Sequence, residues 1–204
     1  MLGLPQTTEV KKIIPKRDLY SKFELNTAEH KEFDAAIRQM TIVNEISLRT
    51  IPALQKQEQE KAVFVLAVQL KQEGCAEKIL YKLSRLIDQR LLLALCYADK
   101  LQLALLFDNK ILINEFKPAA EQSVTLQGTG LKEIFEHLAL QVANLTPLAG
   151  LTPASIIANA GRRTELEQQI AALTKKMFAE KQARKKLTLR EAINKLKKEL
   201  EDLQ

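Results

Sequence analysis

The sequence predicts an α+β fold: a mostly antiparallel sheet with helices packed on it, followed by a C-terminal helical hairpin of coiled-coil character. Three observations predict it. Apolar runs of strand length recur at 62–68, 91–97, 101–107 and 111–116, the last three joined by connectors too short for anything but antiparallel hairpins. Amphipathic helical stretches fall before and between these runs and after the last. The last fifth of the chain carries apolar residues spaced four and three apart amid dense charge.

The elements follow in order. Residues 3–16 contain two prolines and no sustained period, and predict an ordered arm with at most a short helix after Thr7 or Thr8. Asn26-Thr27-Ala28-Glu29 is a helix start, an Asx cap with Glu three residues on. Phe33, Ile37 and Met40 follow at helical spacing and predict an amphipathic helix over 28–42. Ile51 is placed in a short extended piece, and 55–61 in a polar connector. The run 62–68 is apolar on both faces and rich in β-branched residues, as a central strand is. Gln72-Glu73-Gly74 breaks it. Residues 76–88 then put Ile79, Leu80, Leu83, Leu86 and Ile87 on one stripe, a helix laid against the sheet. Three strands follow, with turns at Ala98-Asp99-Lys100 and Asp108-Asn109-Lys110. A further short strand is expected near 124–126, and Gly128-Thr129-Gly130 opens a helix through Ile134, Phe135, Leu138 and Val142. The predicted helices cover one face of the sheet.

Charge divides the chain. Residues 1–161 hold 19 Lys/Arg and 18 Asp/Glu, whereas 162–204 hold 12 and 7, so +5 of the net +6 belongs to the last 43 residues. The domain reading is a body over 1–145 with its N-terminal arm, a linker over 146–161 and a basic hairpin over 162–204. Leu166, Ile170, Leu173 and Met177 form one apolar seam; Leu189, Ile193, Leu196, Leu200 and Leu203 form another. Thr164-x-x-Glu167 and Thr188-x-x-Glu191 read as capping boxes that start the two helices. Helices of about 18 and 15 residues run roughly 27 and 22 Å, which suits an antiparallel pair. One long helix with a stutter, dimerising in trans, fits the same pattern.

Several classes are excluded or unsupported. No apolar run approaches the roughly 20 residues that span a bilayer. Residues 1–12 hold no apolar leader and Leu2 is no myristoylation site, so a cytoplasmic protein is expected. Cys75 and Cys96 are too few and too separated for a disulfide framework or a metal cluster, and read as small buried hydrophobes. His30 and His137 have no Cys or His neighbour in sequence and read as surface or structural residues. Neither a phosphate-cradling glycine loop, a Gly-x-Ser-x-Gly elbow nor a zinc spacing occurs. No metal or cofactor is expected, and no motif names a reaction.

Two places carry candidate chemistry. The strand at 62–68 runs into Gln69-Leu70-Lys71, the shape of a PD-(D/E)xK nuclease strand, where acidic groups hold a divalent metal and the lysine supports the attacking water. Gln69 is a poor metal ligand, residues 42–61 contain no Asp, and a lysine ending a strand is ordinarily the chain meeting solvent. The other place is the hairpin tip: Lys181, Arg184, Lys185 and Lys186. It fits a grip on nucleic-acid phosphates, an acidic protein surface, or a solvated face whose cations complement the dipole of the first helix. Phe178 is the one aromatic residue in 162–204, so stacking on bases is unsupported.

The chain resembles a known family in several places: the opening Gly3-Leu4-Pro5-Gln6-Thr7-Thr8-Glu9-Val10-Lys11-Lys12-Ile13-Ile14-Pro15-Lys16, residues 48–51, the strand ending Gln69-Leu70-Lys71, Glu77-Lys78-Ile79-Leu80, the two strands at 91–97 and 101–107, and Glu180-Lys181-Gln182-Ala183-Arg184-Lys185-Lys186-Leu187. That family is the uncharacterised bacterial domain of unknown function numbered 4391. Its strand often ends Glu-Leu-Lys where this chain has Gln-Leu-Lys, which counts further against a nuclease. The resemblance implies a companion of helicases or DNA methyltransferases in restriction-modification or phage-defence systems. It supplies no catalytic residue. The expectation is a non-catalytic accessory protein that docks on such a partner and touches DNA phosphates. The alternatives are a structural module that self-associates, as a homodimer through its C-terminal helices, and a degenerate nuclease.

Overall fold

A computed structural model describes residues 2–56 and 61–202. Four residues of the expected polar connector, 57–60, and the seam residue Leu203 lie outside them. The chain divides into two compact units, Met1–Thr146 and Pro147–Gln204.

The first unit is a mixed α+β layer. A 3-10 turn at Gln6–Thr8 leads into β1 (Glu9–Ile14), so the expected arm is an edge strand paired antiparallel with β2 (Ile37–Ile46). Its exposed Lys11 and Lys12 protect that open edge from pairing with another chain. Helix α1 (Lys16–Phe23), unforeseen, ends at Glu24 in the left-handed conformation. Helix α2 (Thr27–Ala36) starts with the expected box: the Asn26 side chain accepts from the Ala28 and Glu29 amides, and Glu29 accepts from the Asn26 amide.

That helix stops six residues earlier than the sequence predicts. Ile37 and Met40 are buried strand residues, and a register shift between Ile37 and Gln39 inserts an extra residue between them. The bulge gives a strand the three-residue spacing of a helix, which is how the periodicity misleads. Ile51 follows turns closed by the Thr50 and Ile51 amides on the Ser47 carbonyl, and belongs to no strand.

β3 (Val63–Leu70) is central, between β2 and β4 (Arg90–Tyr97) in the order β1-β2-β3-β4. Helix α3 (Glu77–Ser84) crosses from β3 to β4, making them the one parallel pair among the described residues. β5 (Lys100–Phe107) and β6 (Lys110–Ile113) complete the meander. Asp108 and Asn109 both take positive φ, the two-residue turn that matches strand twist. The expected strand at 124–126 does not form. A two-residue β7 (Lys117–Pro118) pairs with β5 instead, and the Val124 amide donates to the Leu2 carbonyl.

Both faces of the sheet centre are buried, not one. Leu66, Val68, Leu93, Leu95 and Ala104 share a core with residues of α1, α2 and α3. Val65, Leu92, Ala94, Leu103 and Leu105 alternate with them and are equally buried, and α4 (Leu131–Val142) packs on β5 and β6. At roughly 2 kcal/mol per buried Leu or Val side chain, this two-sided core supplies most of the favourable folding energy.

The second unit is an antiparallel pair, α5 (Pro153–Ala179) and α6 (Ala183–Glu201), packed on each other within one chain. Thr152 caps α5 by accepting from the Ser155 amide. Helical structure therefore takes in residues 153–161, which the sequence assigned to the linker. Thr164 and Thr188 cap nothing: inside the helices, their hydroxyls donate to the Ala160 and Arg184 carbonyls. The break lies at 180–182. The eight seam residues within the described range are all buried or half-buried, Leu166 completely. An ion pair between Arg162 and Glu199 ties the two helices together far from the turn.

Candidate functional site

The hairpin tip is built by a single carboxylate. Glu180 ends α5, and its Oε1 accepts from the Lys181 amide at 2.8 Å and the Gln182 amide at 2.9 Å. The Gln182 amide bond, with that of Lys181 and the nearby Lys185 and Lys186 ammonium groups, holds the Glu180 carboxyl below its ordinary value. The carboxylate is thereby engaged in closing the turn.

Moving the turn from 188 to 180–182 changes what surrounds the cations. Only Lys176 occupies the last turn of α5, where a positive charge complements the dipole. Arg184, Lys185 and Lys186 occupy the first turn of α6, which has no acidic residue and no side-chain cap. There the dipole opposes them, so the dipole explanation available from the sequence does not hold for these three. All four of Lys181, Arg184, Lys185 and Lys186 are exposed, and among the described residues none forms an ion pair. A groove of about 800 Å³ beside the turn is lined by Lys176, Lys181 and Lys185 along with Glu180, Gln182 and Leu189. Phe178 and Leu187, 76% and 58% exposed, flank the tip.

The strand end looks different. Gln69 is exposed on β3, paired in register with Gln39 and Cys96. The Lys71 amide donates to the Ala36 carbonyl, which brings the end of α2 beside it. The acidic neighbour missing from the sequence window is Asp34, upstream on α2 and close enough for the Lys71 charge to act on it. Asp34 Oδ1 accepts from Lys16 Nζ and from the Tyr20 hydroxyl, both at 2.7 Å. The Lys16 bond, then the Tyr20 bond, hold its carboxyl below the usual range. Among the described residues no three His, Cys, Asp or Glu side chains converge on a point that would hold a metal ion.

Both cysteines are free and half-buried; burial, and for Cys75 a nearby Glu32, keeps the thiols protonated, Cys75 rising to about 11. His30 packs its ring against Tyr20 at 4.1 Å. No helix among the described residues is long and apolar enough to cross a membrane.

One assembly escaped sequence reasoning altogether. Lys22, Lys61, Arg85 and Arg90, from four separate segments, line a single cleft in the first unit. No spacing along the chain relates them; only the paired positions of α1, α3 and β4 do.

Comparison with curated proteins and with solved structures gives no match. A family model does match: Domain of unknown function (DUF4391), over residues 2–200 and so over nearly all of the sheet, the crossover helix and the basic hairpin, and the chain belongs to that family.

Proposed function

We propose that the protein is a non-catalytic accessory component whose hairpin tip lies on nucleic-acid phosphates while the chain docks on a helicase or DNA methyltransferase of a restriction-modification or phage-defence system. The observation that carries the phosphate contact is the set of cations at the start of α6. Lys181, Arg184, Lys185 and Lys186 against Glu180 leave +3 at a tip that the helix dipole makes more positive still. Beyond Glu180, no carboxylate among the described residues forms an ion pair with these four cations, and phosphate oxygens would supply the missing counter-charge. The tip offers no flat aromatic platform beyond one phenylalanine, so the contact is with the backbone and is indifferent to sequence.

The test is duplex-DNA binding by the full chain across a salt series. Each phosphate contact contributes roughly 0.9 to the slope of log K against log salt, so Arg184→Ala, Lys185→Ala and Lys186→Ala together flatten that slope by about 2.7. An unchanged slope removes the tip from the reading. Co-purification with the helicase or methyltransferase encoded beside the gene tests the docking half.

A second reading rests on Phe178 and Leu187. Two exposed apolar side chains beside a helical seam suit self-association or assembly with a protein partner without nucleic acid. Light scattering on the full chain and on a Phe178→Ser/Leu187→Ser variant separates the two: a dimer that the variant dissolves favours assembly, and a monomer in both favours the phosphate contact.

A further inference from the structure

The flank of the hairpin turned away from Lys176 and Lys185 holds a second groove, of about 630 Å³. Its α5 wall is Thr174, Met177 and Phe178, and its α6 wall is one helical stripe running from Ala183 to Lys197. Lys176 and Phe178 are two residues apart, and so about 200° apart around α5; Lys185 and Leu187 stand likewise on α6. The two grooves therefore open on opposite flanks and share no residue.

The floor of this groove is apolar. Ile193 is buried, Met177 is half-buried, and Phe178 and Leu187, one from each helix, are exposed. Its charged rim is basic throughout: Lys186, Arg190 and Lys197, all exposed, a charge of +3. Helix α6 has three acidic residues, Glu191, Glu199 and Glu201, and none of them lines the groove. Glu199 is paired with Arg162 instead. Glu180 lies close enough to Lys186 to feel its charge, but its carboxylate closes the turn on the Lys181 and Gln182 amides. Among the described residues no carboxylate forms an ion pair with Lys186, Arg190 or Lys197. A single exposed apolar residue is common on any surface. Two from different helices, sharing a groove whose floor is already apolar, form a patch of the kind that marks a contact.

The chemistry of the groove selects its occupant. Nucleic-acid phosphates would meet the three cations yet leave Phe178 and Leu187 in water, and one aromatic ring is no platform for successive bases. A second hairpin would bring its own surplus of +5 against these cations. An amphipathic helix with acidic flanks satisfies floor and rim together. The wall from Ala183 to Lys197 runs about 21 Å, roughly four turns of such a helix. We infer that, where the chain docks on a partner as proposed above, this groove seats an acidic amphipathic helix of that partner, its apolar stripe on Phe178, Leu187 and Ile193 and its carboxylates facing Lys186, Arg190 and Lys197. The hairpin then holds two ligands at once, phosphates at its tip and a protein helix on this flank.

Fluorescence anisotropy of the full chain with a labelled, hydrocarbon-stapled peptide of about 15 residues tests this. The peptide carries leucines at positions i, i+3, i+4 and i+7 and glutamates beside them. Its controls are the scrambled sequence and the version with lysine for glutamate. The acidic amphipathic peptide is expected to bind about tenfold or more tightly than either control. Phe178→Ser should weaken it about thirtyfold, as loss of an aromatic anchor does, and Lys197→Glu about tenfold. Both residues are exposed, so both variants should melt as the parent does. Arg184 and Lys185 lie outside the groove, so the Arg184→Ala/Lys185→Ala variant should bind the peptide within about twofold of the parent. Equal binding of the peptide and its scrambled form, or affinity unaltered in both Phe178→Ser and Lys197→Glu, would overturn the inference. So would a single-stranded oligonucleotide that displaces the peptide and itself loses affinity in Phe178→Ser, which assigns the groove to nucleic acid. A dimer of the full chain that Phe178→Ser dissolves overturns it too, in favour of a second copy. A peptide that fails to bind while a helicase or methyltransferase still co-purifies overturns the groove and leaves the docking reading standing; peptide binding with no co-purifying enzyme supports the groove and removes that enzyme from the reading.

Discussion

The two units of the chain handle charge and burial in opposite ways. The first is nearly neutral by count and buries both faces of its sheet; the second is basic by count, and its paired helices bury little beyond a seam in which Leu166 and Ile193 lie deepest. Counting along the sequence directs attention to the hairpin. Folding shows that a neutral unit also concentrates cations, because its carboxylates are spent elsewhere: Glu29 on Lys82, Glu45 on Arg49, Asp34 on Lys16 and Tyr20. Net charge of a segment and local charge of a surface are separate quantities, and only the second meets a ligand.

The contrast in burial is the easiest to break. Leu93 is fully buried at the sheet centre, so Leu93→Ala should cost about 2–5 kcal/mol in chemical denaturation. Leu189 is half-buried on the seam, and Leu189→Ala should cost about 1–2 kcal/mol. Equal losses would mean that the hairpin seam is as deep a core as the sheet. Next in size is the flattening of the salt slope by about 2.7 in the triple tip variant, which should not lower its melting temperature, because the three charges oppose the dipole of α6. A fall in thermal stability would show that the charges are structural after all.

The smallest effect is on pH dependence. The folded Glu180 and Asp34 carboxyls both lie below their ordinary values, so each stabilises above the unfolded value of about 4 and loses that contribution as pH falls through the folded one. Acidification below about pH 4 should loosen the hairpin turn, read as lost helicity by circular dichroism. Glu180→Gln should remove that acid transition and leave the one in the first unit, where Asp34→Asn acts. An unchanged transition in Glu180→Gln would sharpen the comparison by moving the hairpin's acid sensitivity to another carboxylate.

Much of the fold was legible. The strands at 63–70 and 90–113 declared themselves by apolar run and turn chemistry, Asn26 by its capping box, and the seam from Leu166 to Leu200 by its spacing. The failures share a cause. Residues 37–42 look helical because a bulge separates Ile37 from Met40 by a helical interval. Residues 9–14 look like an arm because an edge strand bearing two exposed lysines has no clean alternation. Asn44, buried and donating to Thr8 Oγ1 at 2.9 Å, anchors the N-terminal segment through a contact 36 residues distant, which no local pattern announces. The tip residues were visible as a run of basic letters, but their position relative to a helix end was not, because two plausible Thr-x-x-Glu boxes compete with a break that Glu180 makes from outside any standard cap.

The sequence by itself determined the class of fold, the hairpin turns and the apolar seams of the C-terminal helices, since those depend on periodicity and turn chemistry acting over a few residues. The tertiary structure alone decided that β3 and β4 run parallel, that both sheet faces are covered, that Arg184 to Lys186 begin a helix instead of ending one, and that four scattered cations share a cleft. Those outcomes depend on which distant segments share a sheet edge or a helix flank, and long-range pairing leaves no interval in the chain to read.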